Sequence, residues 1–489
     1  MKVSQKPPFR TRCMIAFGGN DMHLDKESAT PLYLQMYLRI RDDIKQGTYP
    51  CGAKLPSIRS MAENLQCSRN TVEAAYTHLV KEGFVASRPG SGYVVQDVGM
   101  LEVGTQRTEE ALVGTTADGA RYDFTYGNLE AGTFPALSWR TIADEVLMGA
   151  ASSACNTYTD PLGEKDLRAE IAWRLATQRD VNCTPDEVVI QSGTQSSVQN
   201  LLCLFDHEKD VVAMEEPGYD GVRTTFERSG FRVAPCRVVP GLANSDGRKL
   251  FFEDLERHRP RLVYVTPSSQ FPTCAVMPAV MRERLIAWAD ETDAYILEDD
   301  YCRDFRYRER PIPPLQSFDR NNRVIYMGTF SKSLSPALRM NYLVLPPNLM
   351  KRWREAFSEA YPTVPWLSQE VLARFMASDH WERHVRRMQV RNRRKFETLI
   401  SALDRYLGER VEVLENGTGL HLLVAVNDGR DEDELIRAAA ERDVAVYGTK
   451  KYWMDPAKSR RGCILIGFSA IAEKDIEPGI KELARAWFD

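Results

Sequence analysis

The sequence predicts an α/β protein in which a small helical domain precedes a large domain with a mostly parallel sheet. Two observations lead to this prediction. From Tyr122 onward, short apolar strands alternate with helical stretches, as they do in βα units whose sheet is covered on both faces. Before that point, residues 31–95 show helical spacing of apolar residues and then a Pro-Gly turn between two short strands. A chain of 489 residues has room for two or three domains.

Composition limits the class of protein. Hydrophobic residues make up 43% of the chain, which is enough for a large core. No run approaches the roughly 18 apolar residues of a membrane-spanning helix, and the N-terminus lacks a signal-peptide pattern. We therefore expect a cytoplasmic protein with no membrane partner. Ten scattered cysteines without a CxxC pair indicate free thiols in a reducing compartment and no metal site.

The small domain is predicted to start after a tail at residues 1–30. Its first helix stops at Gly47, and the apolar residues that recur along it at helical spacing are Tyr33, Tyr37, Ile40 and Ile44. A second helix begins after Ser57 as its N-cap, and Ser68 opens a third. Helix, helix-turn-helix and hairpin in this order predict a winged helix-turn-helix over residues 31–95.

A winged helix-turn-helix reads DNA with the start of its recognition helix, which lies in the major groove. Arginine can bind guanine through two hydrogen bonds, and asparagine can bind adenine in the same way. The residues predicted to contact DNA are Arg59, Ser68, Arg69, Asn70 and Thr71 on the helices and Arg88, Gly90 and Ser91 at the wing. Residues 1–95 carry 13 Lys and Arg against 8 Asp and Glu, although the whole chain has a net charge of −4. This asymmetry favours double-stranded operator DNA as the partner of the small domain, with protein contact as the alternative.

Residues 96–120 have few large apolar side chains and are predicted to be a linker, so the large domain spans residues 121–489. Its apolar strands are predicted at Val188–Ile190, Val211–Ala213, Leu262–Val265, Tyr295–Leu297 and Val324–Tyr326. Helices rich in arginine follow after about residue 350. Two further strands, Leu420–Val426 and Cys463–Phe468, indicate a smaller C-terminal subdomain.

Two of these strands end in polar residues that are expected to meet. One runs into Glu298-Asp-Asp-Tyr301 and the other into Gly328-Thr-Phe-Ser-Lys332. In an open α/β sheet, ligands bind at the carboxyl ends of strands. A lysine that forms a Schiff base and an acid that holds a pyridinium nitrogen are what pyridoxal phosphate (PLP) needs. We therefore expect Lys332 to hold PLP, Asp299 to bind its ring nitrogen and Tyr301 its phenolic oxygen.

A phosphate site is predicted beside Lys332. Thr329, Ser331 and Arg339 supply two hydroxyl groups and a guanidinium group. The predicted helix N-terminus that adds backbone N–H groups and a positive dipole end is formed by Gly193, Thr194 and Gln195. Asp300 is expected to point away from the site, because side chains alternate along a strand.

Longer stretches of the sequence resemble two families. The small domain resembles the GntR family of regulators through Leu55-Pro-Ser-Ile-Arg59, Ser68-Arg-Asn-Thr-Val72, Glu82-Gly-Phe84 and Gly90-Ser-Gly92. Residues from about 122 to 489 resemble the fold-type I aminotransferases through Tyr158-Thr-Asp-Pro-Leu-Gly163, Ser192-Gly-Thr-Gln195, Glu216-Pro-Gly-Tyr219, Glu298-Asp-Asp-Tyr301 and Gly328-Thr-Phe-Ser-Lys-Ser-Leu-Ser-Pro-Ala-Leu-Arg339. The combination resembles the MocR/GabR subfamily of regulators, in which an aminotransferase-like domain binds PLP and senses an effector.

The resemblance implies a role for each matching residue. Lys332 is the aldimine lysine, Asp299 the pyridine partner, Tyr301 the phenolic-oxygen partner and Arg339 a phosphate ligand. It also implies a homodimer and a small amino-compound effector that is sensed by aldimine exchange at Lys332.

The chain departs from the aminotransferase pattern at several positions. Leu465 stands where those enzymes carry an arginine for the substrate α-carboxylate. Phe271 replaces an asparagine, Cys274 a glycine, and Ser269 stands where the regulator subfamily usually has histidine. An α-amino acid that lacks the arginine clamp loses the positioning that governs the rate. Capture of an acidic group would need another cation, for which the candidates are Lys450, Lys451, Arg460 and Arg461.

We therefore expect a PLP-dependent transcriptional regulator with little or no turnover, and we assign no catalytic residue. One alternative is an active PLP-dependent aminotransferase with a fused DNA-binding domain. The other is a GntR-type regulator whose effector domain does not use PLP.

Overall fold

The computed structural model describes residues 24–25, 30–45, 47–88, 92–96, 119–149, 156–238, 245–308, 312–414 and 417–489. The chain divides into two compact units, Met1–Thr116 and Ala117–Asp489. Most of the predicted tail and most of the predicted linker lie outside the described residues, so the domain boundaries drawn from them stay predictions.

The smaller unit has the predicted helix, helix-turn-helix and hairpin. Its elements are α1 (Leu32–Lys45), α2 (Ile58–Asn64), α3 (Arg69–Lys81), β1 (Val85–Arg88) and β2 (Gly92–Val95). Ser57 caps α2, since its Oγ accepts a hydrogen bond from the Ser60 amide at 3.1 Å. Ser68 caps α3 in the same way through the Thr71 amide, also at 3.1 Å. Side chains of α1, α2 and α3 form the core, in which Tyr76 is 0% exposed.

The larger unit alternates helices with strands. Its helices are α4 (Ala136–Met148), α5 (Lys165–Arg179), α6 (Thr194–Leu202), α7 (Asp220–Arg228), α8 (Ser245–His258), α9 (Ala279–Glu291), α10 (Leu315–Phe318), α11 (Pro347–Ala356), α12 (Trp366–Ala377), α13 (Asp379–Tyr406), α14 (Glu432–Ala440) and α15 (Glu473–Phe488). The arginine-rich helices predicted after residue 350 correspond to α11–α13. Within the described ranges, no helix is long and apolar enough to cross a membrane.

Seven strands of this unit form one sheet. The strands of the unit are β3 (Tyr122–Asp123), β4 (Val188–Gln191), β5 (Val211–Glu216), β6 (Arg232–Arg237), β7 (Leu262–Val265), β8 (Tyr295–Asp299), β9 (Val324–Thr329), β10 (Asn341–Val344), β11 (Val411–Val413), β12 (His421–Val426), β13 (Val444–Ala445), β14 (Tyr447–Gly448) and β15 (Cys463–Gly467). The order in the sheet is β4-β10-β9-β8-β7-β5-β6. Neighbouring strands are parallel from β9 to β6, and β10 is antiparallel to both β4 and β9. The prediction of a mostly parallel sheet is confirmed, and all five predicted strands belong to it.

Two strands of this sheet were not among the predicted ones. β6 contains Pro235 and pairs only with β5 at the edge of the sheet. Proline has no amide hydrogen for a ladder, so an edge position suits it and its presence weakens the sequence signal. β10 is four residues long and runs antiparallel to both of its neighbours in the sheet.

The predicted C-terminal subdomain is also present. A four-stranded antiparallel sheet has the order β11-β12-β15-β14, and it contains both strands that the sequence indicates. Leu422 and Ile466 are paired in register and are buried against α13 and α15. Because β4, β5, β7, β8 and β9 run in one direction, their carboxyl ends share one edge of the larger sheet, where the predicted site residues meet.

Candidate cofactor site and DNA-binding surface

A cavity of about 380 Å³ opens at this edge of the larger sheet. Its volume lies in the range of small-molecule sites in proteins. Eight of the nine residues predicted to bind the cofactor line it, namely Thr194, Gln195, Asp299, Tyr301, Thr329, Ser331, Lys332 and Arg339. The ninth, Gly193, lies next to the guanidinium group of Arg339. The structure thus brings together side chains from four separate segments.

Lys332 follows β9 and extends into the cavity. Its Nζ lies 4.3 Å from the centroid of the Tyr126 ring and donates a hydrogen bond of 3.4 Å to the Gly127 carbonyl. Burial lowers the pKa of Lys332, and the charge of Arg339 lowers it further, against the opposing effect of Asp299. A lysine that loses its proton more easily is a better nucleophile toward a carbonyl carbon.

Asp299 ends β8 and is 4% exposed. Its Oδ2 accepts a hydrogen bond of 2.7 Å from the Tyr264 hydroxyl. Its Oδ1 is buried and has no hydrogen-bond partner among the described residues. Burial raises the pKa of Asp299 to about 7. A buried acceptor without a partner is costly, so this oxygen fits a ligand that brings a donor such as a pyridinium N–H.

Asp300 faces the other side of the sheet, as the alternation of side chains predicts. Its carboxylate pairs with Arg179 and accepts a hydrogen bond of 2.7 Å from the Tyr326 hydroxyl. Burial by itself would raise the pKa of Asp300, but Arg179 and Tyr326 lower it to about 2. The two adjacent acids therefore differ sharply in pKa, and of the two only Asp299 lines the cavity.

The Tyr301 hydroxyl is a second buried group on the cavity wall. It lies near Ser269, which affects its pKa, but it completes no hydrogen bond of normal geometry with the described residues. Burial raises the pKa of Tyr301 well above the usual tyrosine value, so the hydroxyl stays a donor at neutral pH. A donor at this position fits the phenolic oxygen of PLP.

The residues predicted to bind phosphate lie around the N-terminus of α6. Gly193, at φ 90°, precedes the helix, and its amide donates to Asn341 Oδ1 at 3.0 Å. That amide is therefore engaged inside the protein, and Gly193 acts by leaving space. A Cβ at this position would lie 2.2 Å from Nη2 of Arg339. The first turn of α6, at Thr194 and Gln195, retains the N–H groups and the positive dipole end that bind phosphate.

Several residues of the cavity were not predicted. Aromatic side chains supply much of its wall, and they are Tyr126, Tyr219, Tyr264, Phe271 and Tyr452. Tyr264 lies in β7, which neighbours β8. Its position in a predicted strand was the sequence feature that could have indicated a place near Asp299. The other unpredicted wall residues come from loops that only the folded chain brings to this edge.

Of the four candidate cations, only Lys451 lines the cavity. Lys450 is instead paired with Asp431 and Asp433. The guanidinium of Arg460 pairs with Glu412, and Arg461 is not on the cavity wall. Neighbouring acids therefore hold Lys450 and Arg460, and among the four candidates the geometry favours Lys451.

The positions that depart from the aminotransferase pattern also have a structural setting. Leu465 is 1% exposed and packs with Phe271, Leu423, Tyr452 and Cys463 in an apolar cluster. Cys274 has φ 62°, a left-handed conformation that favours glycine, and its Sγ lies 3.4 Å from His421 Nε2. The wall that would carry the α-carboxylate clamp in an enzyme is therefore apolar here.

The small domain presents the start of α3 to solvent. Arg69 and Asn70 are exposed in its first turn. The hydroxyls of Ser68 and Thr71 lie 2.8 Å apart, so these two residues already serve the cap of the helix. Arg59 is exposed and pairs with Glu63 at 2.9 Å. Arg88 is exposed at the end of β1, whereas Gly90 and Ser91 lie outside the described residues.

Comparisons with known proteins match each of the two parts of the chain to a protein family. Residues 32–95 match the bacterial regulatory proteins of the gntR family, and residues 124–481 match aminotransferase class I and II. The chain is 36% identical over 470 residues to the uncharacterized HTH-type transcriptional regulator YhdI of Bacillus subtilis, covering 95% of this chain and 97% of the relative. It is 32% identical over 483 residues to the probable rhizopine catabolism regulatory protein MocR of Rhizobium meliloti, covering 95% of each.

A solved structure matches the larger unit. The α-aminoadipate aminotransferase LysN from Thermus thermophilus, complexed with N-(5'-phosphopyridoxyl)-L-leucine, has a TM-score of 0.66 and 26% sequence identity. The match covers 74% of this chain and 91% of that one. Aminotransferases of this class depend on PLP, so the cofactor expected from the sequence is confirmed at the level of the family. The chain belongs to the MocR/GabR type of GntR-family transcriptional regulators, which join a helix-turn-helix domain to an aminotransferase class I and II domain.

Proposed function

We propose that this regulator holds PLP on Lys332 and senses a small amino compound that displaces the lysine from the cofactor. The observation that carries the proposal is the convergence of three groups on one cavity. These are the Lys332 amine, Oδ1 of Asp299 and the Tyr301 hydroxyl, and neither oxygen has a hydrogen-bond partner of normal geometry among the described residues. A lysine, a ring-nitrogen acceptor and a phenolic-oxygen donor are the set that PLP requires.

When bound, PLP supplies an aldehyde carbon that reacts reversibly with primary amines. Lys332 is the amine that the chain itself provides at that carbon. Lys332 would hold the cofactor at that carbon, and an effector amine would take its place there. Burial lowers the pKa of Lys332 and so favours the neutral form of its amine. The exchange needs no oxidant or reductant.

Exchange becomes a signal only if the effector binds two conformations of the regulator with different affinity. The readout that we propose is a change in operator binding by the small domain. Arg69 and Asn70 are its base-reading candidates, because they are exposed at the start of α3. Arg59 and Arg88, together with Ser68 and Thr71, are proposed to contact the DNA backbone or its grooves. Acting on operator DNA would place the protein in the cytoplasm.

A homodimer is part of the proposal. The larger unit exposes large apolar side chains on α4, where Leu137 is 74% and Met148 is 87% exposed. Tyr158 and Tyr361 are also exposed, and their rings lie 4.2 Å apart. Contiguous exposed apolar patches mark protein contact surfaces, and we propose that these side chains belong to one. We propose that a second copy of the chain covers this surface. The two small domains of the dimer would then bind two half-sites of the operator.

The test is the absorption spectrum of the purified full-length protein with PLP, read together with operator binding. Wild type should show the yellow band of lysine-bound PLP, and Lys332→Ala and Lys332→Arg should both lack it. The arginine variant keeps a cation beside Tyr126, so it controls for loss of packing. Both variants should keep their affinity for an operator selected from random DNA by the wild-type protein.

A panel of amines then separates the possible functions. A compound that moves the band, without loss of cofactor, and also changes operator affinity supports a sensor. Steady release of a keto acid from any amino donor would instead establish an aminotransferase with a DNA-binding domain. If wild-type protein mixed with PLP shows no absorption band of lysine-bound cofactor, the proposed cofactor role of Lys332 is wrong.

A further inference from the structure

The long helix α13 carries a run of positive charge that the proposed function does not use. Between residues 383 and 395 the helix has six arginines and one lysine, and no aspartate or glutamate. The chain beyond residue 95 has the opposite balance, with 51 Lys and Arg against 60 Asp and Glu. One segment of an otherwise acidic domain is therefore basic.

Five of these six arginines lie on one face of α13. The opposite face is buried, and its apolar residues Val385, Met388 and Phe396 pack in the core of the larger unit. The sixth arginine, Arg393, donates a hydrogen bond of 2.9 Å to the Tyr307 carbonyl and is not on this face. Spacings of three and four residues place the other five side by side along the helix. We call these five exposed residues the arginine stripe, and they are Arg383, Arg386, Arg387, Arg391 and Arg394.

Most of the charge of the arginine stripe is not neutralised. Arg391 lies 3.2 Å from the Glu130 carboxylate, but that carboxylate is also bound by the buried Lys395 at 2.8 Å. No carboxylate in the described part of the chain forms an ion pair with any of the other four arginines. The acid one turn before Arg386 is Glu382, and it pairs with an arginine of α5 instead. The stripe is therefore a row of cations exposed to solvent.

The arginine stripe does not help to hold the fold together. Like charges three or four residues apart on a helix repel each other, and Arg383, Arg387 and Arg391 follow one another at spacings of four. All five side chains are exposed, so they add little to the core. Repulsion without burial weakens a helix, and an anionic partner from outside the chain would relieve it.

The dimensions of the stripe fit a nucleic-acid backbone. It spans eleven residues of helix from Arg383 to Arg394, which is about 16 Å. Phosphates of one DNA strand follow each other about every 3.4 Å along the duplex axis, so this length matches about five phosphates. The stripe lines an open groove of about 720 Å³, in which the acids are Glu130 and Glu473. Arginine, which fills all five positions, binds phosphate through two parallel hydrogen bonds.

We infer that the arginine stripe binds the phosphate backbone of double-stranded DNA, so that the larger unit contacts DNA next to the sequence that the small domain recognises. The GntR-type small domain already makes duplex DNA the partner of this protein. A basic face on an acidic domain limits the contact to that face. Because only phosphates are bound, the contact adds affinity without sequence preference. It does not depend on the cofactor or on the effector.

The test compares two DNA lengths with the full-length protein. One duplex carries only the sequence selected by wild type, and the other extends it by about two helical turns on each side. Fluorescence anisotropy across a salt series gives the affinity and its salt dependence. For the extended duplex, Arg386→Gln/Arg394→Gln should lower the slope of log K against log salt by about 2 and the affinity at about 0.1 M salt by at least about tenfold. Binding of the short duplex should not change.

Two further double variants serve as controls. Arg228→Gln/Arg232→Gln removes the same charge from exposed arginines of α7 and β6, which form no ion pair with the described residues, and should bind both duplexes like wild type. Arg386→Lys/Arg394→Lys keeps the charge and should keep most of the salt slope. Because all four positions are exposed, every variant should unfold at or above the temperature of wild type.

Three results would overturn the inference. The first is wild-type affinity and salt slope of Arg386→Gln/Arg394→Gln on the extended duplex. The second is an equal loss on both duplexes, which would place the effect in the small domain. The third is a change of oligomeric state in sedimentation, which would make the stripe a contact between protein chains. If wild type shows no PLP band but the extended duplex behaves as expected, the proposed sensing function fails and this inference stands.

Discussion

The Tyr264 hydroxyl donates a hydrogen bond of 2.7 Å to Oδ2 of Asp299, and both groups are buried. Elsewhere in the same sheet, the Tyr326 hydroxyl makes a bond of the same length to Oδ2 of Asp300. The two pairs lie on opposite faces of the sheet. Only the first belongs to the cavity, because Asp300 is held by Arg179 on the far side.

The first prediction compares Tyr264→Phe with Tyr326→Phe. Each removes a buried hydrogen bond to a carboxylate, so each should lower the free energy of unfolding by about 1.5–3 kcal/mol. Only Tyr264→Phe should weaken PLP binding, by about tenfold, because the bond to Tyr264 favours the charged form of Asp299 that holds the ring nitrogen. Denaturant unfolding and absorbance titration with PLP measure the two effects. Equal PLP affinity in both variants would remove Asp299 as the nitrogen partner.

The second prediction concerns Gly193→Ala. Its Cβ would meet Nη2 of Arg339 at 2.2 Å, so the guanidinium should move away from the phosphate site and PLP affinity should fall at least about tenfold. Gly429→Ala is the matched control, since Gly429 has φ 87° and a Cβ added there would meet no atom of the described residues within 4 Å. Both variants should lose about 1–3 kcal/mol of stability from backbone strain. An unchanged PLP titration for Gly193→Ala would argue against Arg339 as the phosphate ligand.

The third prediction separates stability from DNA recognition at the start of α3. Ser68→Ala removes the helix cap and should lower the stability of the small domain by about 1 kcal/mol. Arg69→Ala should leave stability unchanged, because the side chain is exposed, and should weaken specific operator binding by about 1–3 kcal/mol. Thermal unfolding and fluorescence anisotropy with selected operator DNA distinguish the two. Wild-type operator affinity in Arg69→Ala would exclude Arg69 from base reading.

The fourth prediction is a pH dependence of cofactor capture. The reaction requires the neutral amine of Lys332, so its rate should rise with pH. Burial lowers the pKa of this lysine, so the midpoint should lie below the ordinary lysine value of 10.5. Stopped-flow mixing of cofactor-free protein with PLP across a pH series measures the midpoint, and N-acetyl-lysine methyl amide gives the reference. A midpoint equal to that of the reference would show that burial does not tune Lys332.

Much of the architecture followed from local patterns. The caps Ser57 and Ser68, the apolar strand runs and the motif that ends in Lys332 each depend on neighbouring residues, so the sequence alone carries them. The shared edge of the sheet also followed, because parallel strands necessarily place their carboxyl ends together. For that reason Asp299 and Lys332 were expected in one site although they are 33 residues apart.

Charge pairing and loop contacts needed the folded chain. Lys450 and Lys451 are adjacent and identical in the sequence, yet the first ends on Asp431 and Asp433 and the second on the cavity. The same holds for Gly193, whose amide is engaged by Asn341 from a strand far along the chain.

The sequence by itself determined the fold class and the two-part organisation, and it singled out Lys332 as the candidate cofactor lysine, because strand periodicity, capping and motif spacing are local properties. Only the tertiary structure decided which oxygen of Asp299 has no partner among the described residues, that Tyr264 donates to the other oxygen, and which lysine faces the cavity. Those properties arise from contacts between segments that are distant in sequence, and their distances and burial exist only once the chain has folded.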